Sequence, residues 1–592
     1  MSAQPSAPVK RPSEDDHGSG KKQKEPTYET YDECFDGGVE MEEKGERYKD
    51  GEKALRFYEK AAALYQKALE KKETYDAAYN LARVQFRLAT EFLLPPSVLD
   101  VYASSIGLFK QAMELTTDPL LKADAAFNLA QVLSSWADFM EEYVGDVGEN
   151  AKELRDGAVT LLTPVVNTQM TWVEGQRRED EEKAKADEGK TEEQKQAEAK
   201  EKTDEMQVDG DEEVYEEHKP TPDSVVDSLL MIAEIGTRLW ETAEPLQPPT
   251  EQNQEAVRGM VETARQYASP ERQPEVDLAD FKVLLAYDGV MWDLMKDKTT
   301  PNSGIEKSMD AAISALTKLL NSLDAQPGQD STTRADILTT LAETEMAAGE
   351  RTLFFMKKFP DQAAALAPKA WSYFAAATQH LTAATGLPPT QQTPKEFRPN
   401  LYIELAKGSL NRARLAPAYD AAKNNAQQLL NNCSAYCAKA ADTLGWNLPK
   451  LPTKDSETTA TRLEPPHASG WDMELLARTL VFLELRICYF VRAGKIIPDD
   501  AAKAKYEAAA KAIVASVTGV PSGPRRIMPK DLQRFVEDVE EAEGGLEPEE
   551  DEWWREVGQG LRNGLSEEEA PCTRPLAQSL FDGVGEEQPA AQ

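Results

Sequence analysis

Histidine and cysteine are scarce in this chain, at four and five among 592 residues. The histidines are His17, His218, His380 and His467, and none has a His or Cys beside it at metal-ligand spacing. The cysteines, Cys34, Cys433, Cys437, Cys488 and Cys572, are odd in number and scattered. That excludes a disulfide framework and points to a reducing compartment, the cytosol or nucleus. Cys433 and Cys437 would share a helix face, but with no second pair nearby they read as core thiols. Long apolar runs are also missing: none approaches the roughly 20 residues that span a bilayer, so no membrane partner is expected. The stretch from Met1 to Asp16 lacks the apolar run of a secretory signal. Alternating Val, Ile and Thr, the usual strand pattern, is almost absent.

Catalytic signatures are equally hard to find. No nucleophile elbow, zinc-protease helix or dinucleotide fingerprint occurs. Gly189-Lys190-Thr191 ends like a phosphate-binding loop, but Ala184 stands where the first glycine is required and no strand precedes it. A non-enzyme without metal or cofactor is expected.

Basic charge is in deficit, with 67 Lys and Arg against 104 Asp and Glu, a net charge of −37. Such a balance disfavours direct nucleic-acid binding, which depends on cations neutralising phosphates. The excess is uneven. Residues 176–219 carry 18 acidic and 9 basic side chains, and residues 531–592 carry 18 and 4. The first lacks an apolar stripe and reads as a disordered or frayed insertion, the second reads as an acidic, largely disordered tail, and both attract a basic partner or keep the chain in solution.

What is abundant is helix former. Ala, Leu, Glu, Lys and Gln dominate most stretches, and Gly-Pro clusters such as Gly386-Leu387-Pro388-Pro389 punctuate them. The spacing predicts helices over 152–172, 225–242, 278–295, 305–323, 333–358, 368–385, 400–416, 418–444, 471–493 and 500–517. The helix at 471–493 is apolar nearly all round, yet Glu474, Arg478, Glu484, Arg486 and Arg492 interrupt it, so it reads as a buried closing helix.

Two phrases recur. Ala63 to Glu70 is followed by Ala78-Tyr79-Asn80-Leu81-Ala82-Arg83-Val84. Gly107 to Glu114 is followed by Ala126-Phe127-Asn128-Leu129-Ala130-Gln131-Val132. Small and aromatic residues three and four apart fall on one helical face, where a small residue lets two backbones approach and an aromatic fills the adjoining gap.

These phrases resemble the tetratricopeptide repeat: Tyr79-Asn80-Leu81-Ala82 and Phe127-Asn128-Leu129-Ala130 match its first helix, and Ala61-x3-Tyr65-x2-Ala68 its second. A third echo runs from Leu338 to Gly349 and on through Ala370-x3-Phe374-x2-Ala377. The spacing is longer than that repeat's usual period, and the proline between repeats is missing after the first unit. The resemblance implies an all-α solenoid of helical hairpins that binds other proteins, with Asn80, Arg83, Asn128 and Gln131 facing its groove. Trp553 and Trp554, set among Glu549, Glu550, Asp551 and Glu552, read as a docking motif in an acidic tail.

The expected organisation is a disordered basic leader (1–27), tetratricopeptide-like repeats (28–175), an acidic insertion (176–219), a helical body (220–520) and an acidic, largely disordered tail (521–592). In the leader, Lys10-Arg11 and Lys21-Lys22-Gln23-Lys24 are separated as the two halves of a two-part nuclear import signal are. The expected partner is a protein, either a basic client or a ribosome-linked factor. The latter follows because the overall plan resembles that of fungal enhancer-of-translation-termination proteins.

Overall fold

The computed structural model describes residues 28–144, 149–188, 219–243, 245–301, 304–325, 331–390, 393–446, 469–518, 527, 529–543 and 545–562, and these are helices and their joints without a strand. The basic leader lies outside the described residues. Successive helices pair as antiparallel hairpins: α1 (Tyr31–Tyr48) with α2 (Gly51–Lys71), α3 (Tyr75–Glu91) with α4 (Ser97–Leu115), and α5 (Pro119–Asp138) with α6 (Glu149–Glu188). A π-helical turn, Phe139–Val144, joins the last two. Then come α7 (Pro222–Glu241) with α8 (Glu251–Tyr267), followed by α9 (Gln273–Met295) and α10 (Gly304–Asp324). Next are α11 (Ser331–Lys358) with α12 (Ala363–Thr385), α13 (Phe397–Arg414) with α14 (Asp420–Leu444), and α15 (Trp471–Arg492) with α16 (Asp500–Thr518). Two short helices, α17 (Pro529–Glu543) and α18 (Pro548–Arg562), follow.

Local chemistry sets the boundaries. Thr30 caps α1 in a capping box with Glu33, and Thr74 and Thr221 cap α3 and α7 through their hydroxyls. Gly445, at φ 72°, takes the left-handed conformation that ends α14.

One packing device recurs in the second helices. Ala61, Tyr65 and Ala68 of α2 are fully buried, as are Ala370, Phe374 and Ala377 of α12. Ser105, Phe109 and Ala112 of α4 keep that spacing, and so do Cys433, Cys437 and Ala440 of α14. The preceding helix offers each a small residue. Gly38 lies under the Tyr65 ring and Gly349 under Phe374. The Ser105 hydroxyl donates to the Ala82 carbonyl at 2.9 Å, and the Cys433 thiol to that of Ala406 at 3.2 Å. The fold is thus an all-α, tetratricopeptide-like solenoid of helical hairpins, and in these four the second helix is pressed against a small residue of the first. The buried Cys433 and Cys437 are part of this packing.

The solenoid curves until its ends meet. The Trp471 indole at the start of α15 donates to the Tyr102 hydroxyl of α4 at 3.3 Å and stands edge-on to Phe139, 5.4 Å between centroids. Lys395, before α13, bridges Asp50 at 2.7 Å and Glu91 at 3.0 Å. The hairpins therefore enclose an interior.

Two expectations are corrected. Residues 529–562 are not a disordered stretch: α17 and α18 bury Leu532, Val539, Trp553, Trp554, Val557 and Leu561 against the chain. Arg414 makes a two-pronged ion pair with Glu543 at 2.7 Å, and Arg486 reaches Glu543 at 2.8 Å and Glu550 at 3.1 Å. Acidic residues counted as tail charge are thus neutralised by distant arginines. Likewise, the charged segment from residue 176 begins as helix, since α6 continues to Glu188, with residues 174–185 exposed.

Candidate functional site: the interior of the solenoid

The closure of the ring leaves an interior cavity of about 1270 Å³. Its walls come from five places: Glu141 and Glu142 of the π-helical turn, Arg238 and Glu241 at the end of α7, Val290 and Asp293 of α9, Leu475, Arg478 and Phe482 of α15, and Asp531, Arg534, Phe535 and Asp538 of α17. Six carboxylates and three guanidinium groups line it over an apolar floor.

The charges fall into two groups. Near α7, Arg238 lies 3.1 Å from Glu142 and 3.6 Å from Glu241. Behind them the fully buried Arg155 holds Asp138 at 2.8 Å and Glu141 at 2.7 Å. Four carboxylates thus face two guanidinium groups. Burial raises the pKa of both Glu142 and Glu241 despite Arg238, and in each case neighbouring acids push the same way. Near α15, Arg478 pairs with Asp531 at 2.9 Å and with the Tyr143 hydroxyl at 2.5 Å. Arg534 donates to the Tyr143 carbonyl at 2.8 Å.

The carboxylate-rich wall extends beyond the cavity. On α11, Glu343 and Glu350 are each pushed up to about 7, first by burial and then by Glu404 of α13. Lys407, 2.7 Å from Glu404, is raised in turn by Glu404, and Glu350 and Asp538 add to the effect. Asp538 therefore joins this wall to the cavity. Such an interior favours cations, because carboxylates outnumber guanidinium groups in its lining. Among the described residues, no group of three His, Cys, Asp or Glu side chains is placed to hold a metal ion.

The residues singled out from the sequence separate into two places. Asn80, Arg83 and Asn128 lie together on neighbouring first helices. Arg83 pairs with Glu42 of α1 at 2.7 Å and touches the Asn80 side-chain oxygen at 3.3 Å. The Asn80 amide donates to the Asp76 carbonyl of its own helix at 2.9 Å. The Asn128 amide donates to the Tyr79 hydroxyl at 3.0 Å, tying α5 to α3. Gln131 is half-buried one turn on, and this face leads along α5 to Asp138 and the acidic turn. Trp553 and Trp554 are elsewhere. At 6% and 3% exposure they are core side chains, which corrects their reading as an exposed docking motif. The indole of Trp553 lies beneath Arg492, and Trp554 stands edge-on to Phe535. Their acidic neighbours are partly taken up by Arg486 and Lys495, so the apolar pair has a core to join.

The cavity residues were not legible in advance. Glu142, Glu241, Asp293 and Asp538 are far apart in sequence and ordinary in context. The only hint was the acidic count after residue 531.

No family model matches the chain. UPF0656 protein C926.02 of Schizosaccharomyces pombe is 34% identical over 130 residues, which are 21% of this chain and 28% of that protein. A solved circular tandem repeat protein aligns over 86% of this chain and 98% of its own, at 12% identity and a TM-score of 0.26. The S. pombe nuclear import adaptor Nro1 aligns over 71% of this chain and 96% of its own, at 10% identity and a TM-score of 0.22.

Proposed function

We propose that this chain is a non-catalytic, protein-binding scaffold whose interior holds a basic segment of a nuclear partner. The observation that supports this reading is the open cavity in which carboxylates outnumber guanidinium groups two to one over an apolar floor. Lysine and arginine side chains satisfy such a lining twice, because their stems cover apolar surface while their heads neutralise the acids. Asn80, Arg83, Asn128 and Gln131 extend the same face towards the first hairpins as secondary contacts. The acidic segments raise the encounter rate with such a partner, whereas cavity contacts set its residence time.

Fluorescence anisotropy with a Lys- and Arg-rich peptide tests the proposal. The peptide binds the full chain, and Glu241→Gln with Asp293→Asn weakens it about tenfold, equivalent to ~1.4 kcal/mol. Raising salt from 0.1 to 1 M weakens it further, because the Debye length falls from about 10 to about 3 Å. Equal binding of an uncharged peptide of the same length, or an unchanged affinity in the double variant, overturns the reading. In cells, co-purification of ribosomal subunits instead of one stoichiometric basic protein replaces the basic client with a ribosome-linked one. The nuclear part rests on the leader. Replacing Lys10, Arg11, Lys21, Lys22 and Lys24 with Ala abolishes nuclear accumulation of a fluorescent fusion, and an unchanged distribution refutes it.

A further inference from the structure

The outer side of the first hairpin carries charge opposite in sign to that of the chain as a whole. Residues 44–72 hold nine Lys and Arg against five Asp and Glu, a net of +4 in a chain whose total is −37. On α2, Lys53, Arg56, Lys60, Lys67 and Lys71 follow one another at intervals of three, four, seven and four. At the helical period they fall within an arc of about 60° and run for ~27 Å along the helix. All five are exposed, on the side away from the buried Ala54, Tyr58, Ala61 and Tyr65. The acids of α2, Glu52, Glu59 and Glu70, lie on a separate line beside them. No residue of α2 is among those that line the cavity.

The nearby acids leave this stripe largely positive. Glu46 turns to Arg87 of α3 at 3.2 Å and Asp50 to Lys395 at 2.7 Å. Glu52 meets Arg56 at 3.1 Å, but that arginine side chain stays 72% exposed, so water screens the pair. At the corner of the hairpin the stripe ends on an aromatic ledge. Tyr48 is 42% exposed, and its ring is stacked on Phe57 at 5.5 Å between centroids. The Lys53 ammonium lies 3.7 Å from the centre of the Tyr48 ring. The Tyr48 hydroxyl has a pKa below that of an ordinary phenol, first through its hydrogen bond with Lys53 and the charge of that lysine, with Arg47 and Lys44 adding to the effect.

Cations three, four and seven positions apart match acids at the same spacing on a second helix laid alongside. A nucleic acid fits less well. Its dense line of phosphates is repelled by the acidic remainder of the chain, and strand binders follow a groove where α2 offers the face of one helix. We infer that the outer face of α2 is a docking surface for an acidic helical segment of a partner protein, with Asp or Glu at every third or fourth position and an apolar residue seated on Tyr48 and Phe57. This surface lies outside the cavity and does not depend on the basic partner proposed for it. A chain with both surfaces holds two segments of opposite charge at once.

Fluorescence anisotropy on the full chain at low salt tests this. The probe is a labelled peptide of about 20 residues made of Glu, Ala and Gln, with Glu at every third or fourth position and a terminal Leu. It binds the unaltered chain, and Lys60→Glu with Lys67→Glu weakens it about tenfold. Lys318→Glu with Lys423→Glu makes the same change in net charge at exposed positions of α10 and α14, and alters the affinity by no more than about twofold. Tyr48→Ser weakens the Leu-ended peptide about threefold and leaves one ending in Gln unaffected. Thermal midpoints of these variants stay at the parental value, because every altered side chain is exposed. Glu241→Gln with Asp293→Asn leaves the acidic peptide's affinity unchanged, so this surface and the cavity reading fail separately. Absence of binding, or equal weakening by the two lysine pairs, overturns the surface. Tighter binding of a single-stranded oligonucleotide of equal charge, lost in the Lys60 and Lys67 variant, assigns the stripe to nucleic acid and overturns the protein partner. Peptide binding only after removal of residues 563–592 makes the chain's own acidic stretch the occupant, with the same consequence.

Discussion

The ring of Phe374 occupies the space where a side chain on Gly349 would begin: a Cβ there would lie 2.5 Å from Phe374 Cε1. The same relationship holds in the first hairpin, where a Cβ on Gly38 would lie 2.6 Å from Tyr65 Cε1. In each case the aromatic is flanked by buried alanines at the same spacing. The hairpins α1–α2 and α11–α12 are assembled by one local rule, in which a ring on the second helix enters a hole left by a missing side chain on the first.

Gly38→Ala and Gly349→Ala should each destabilise the chain by about 1–3 kcal/mol, because a buried ring cannot step aside as a flexible side-chain end can. The contrast is Gly107, also within a helix but with nothing near its Cβ position. Gly107→Ala should stabilise by roughly 0.5–1 kcal/mol through helix propensity. Thermal melts of the three variants decide this, and equal losses in all three would refute the hole.

Ala82 and Ala130 are fully buried on first helices. At Ala82 the hydroxyl of Ser105 donates to the main chain, so α3 and α4 run in contact. Ala82→Leu and Ala130→Leu should each cost about 1–3 kcal/mol by overpacking. Denaturant midpoints unchanged in both would place these alanines at the surface.

Glu484 sits at 4% exposure in the apolar centre of α15, with one carboxyl oxygen lacking a partner. Burial pushes its pKa up to about 8. The unfolded value is about 4.3, so the folded chain holds a proton that the unfolded chain releases between those values. Stability is therefore full below about pH 4.3 and falls by up to a few kcal/mol as pH rises towards 8. Glu484→Gln should lose this share of the slope, becoming more stable than the parent at pH 8 and equal to it near pH 4.5. Urea unfolding at the two pH values measures it; parallel profiles would refute the assignment.

Trp553→Ala should cost about 3–5 kcal/mol, as for any large aromatic removed from a core. A variant with parental stability but weakened partner binding would restore the docking-motif reading.

Much of the hairpin construction was legible because its cause is local. Small and aromatic residues three and four apart mark a helical face whatever lies opposite, so Tyr79 to Val84, Phe127 to Val132 and Ala370 to Ala377 announced their helices. Helix α8 escaped notice because only Val257, Val261 and Ala264 of its 17 residues are buried, among charged neighbours and after a proline-rich stretch. The acidic segment holding α17 and α18 was misread for a different reason. Its stripe of Leu532, Phe535, Val536 and Val539 is short, and its charge suggested solvent.

What the sequence by itself determined is therefore the unit: helices, their small-residue faces, and the absence of disulfide or catalytic-motif signals. What only the tertiary structure decided is where charge goes. Glu543 is an ordinary acid until Arg414 and Arg486 arrive from other hairpins, and the cavity carboxylates gather only when the π-helical turn, α7, α9 and α17 converge. A helical period is written into neighbouring residues, whereas an electrostatic environment depends on distances through space that chain order does not encode.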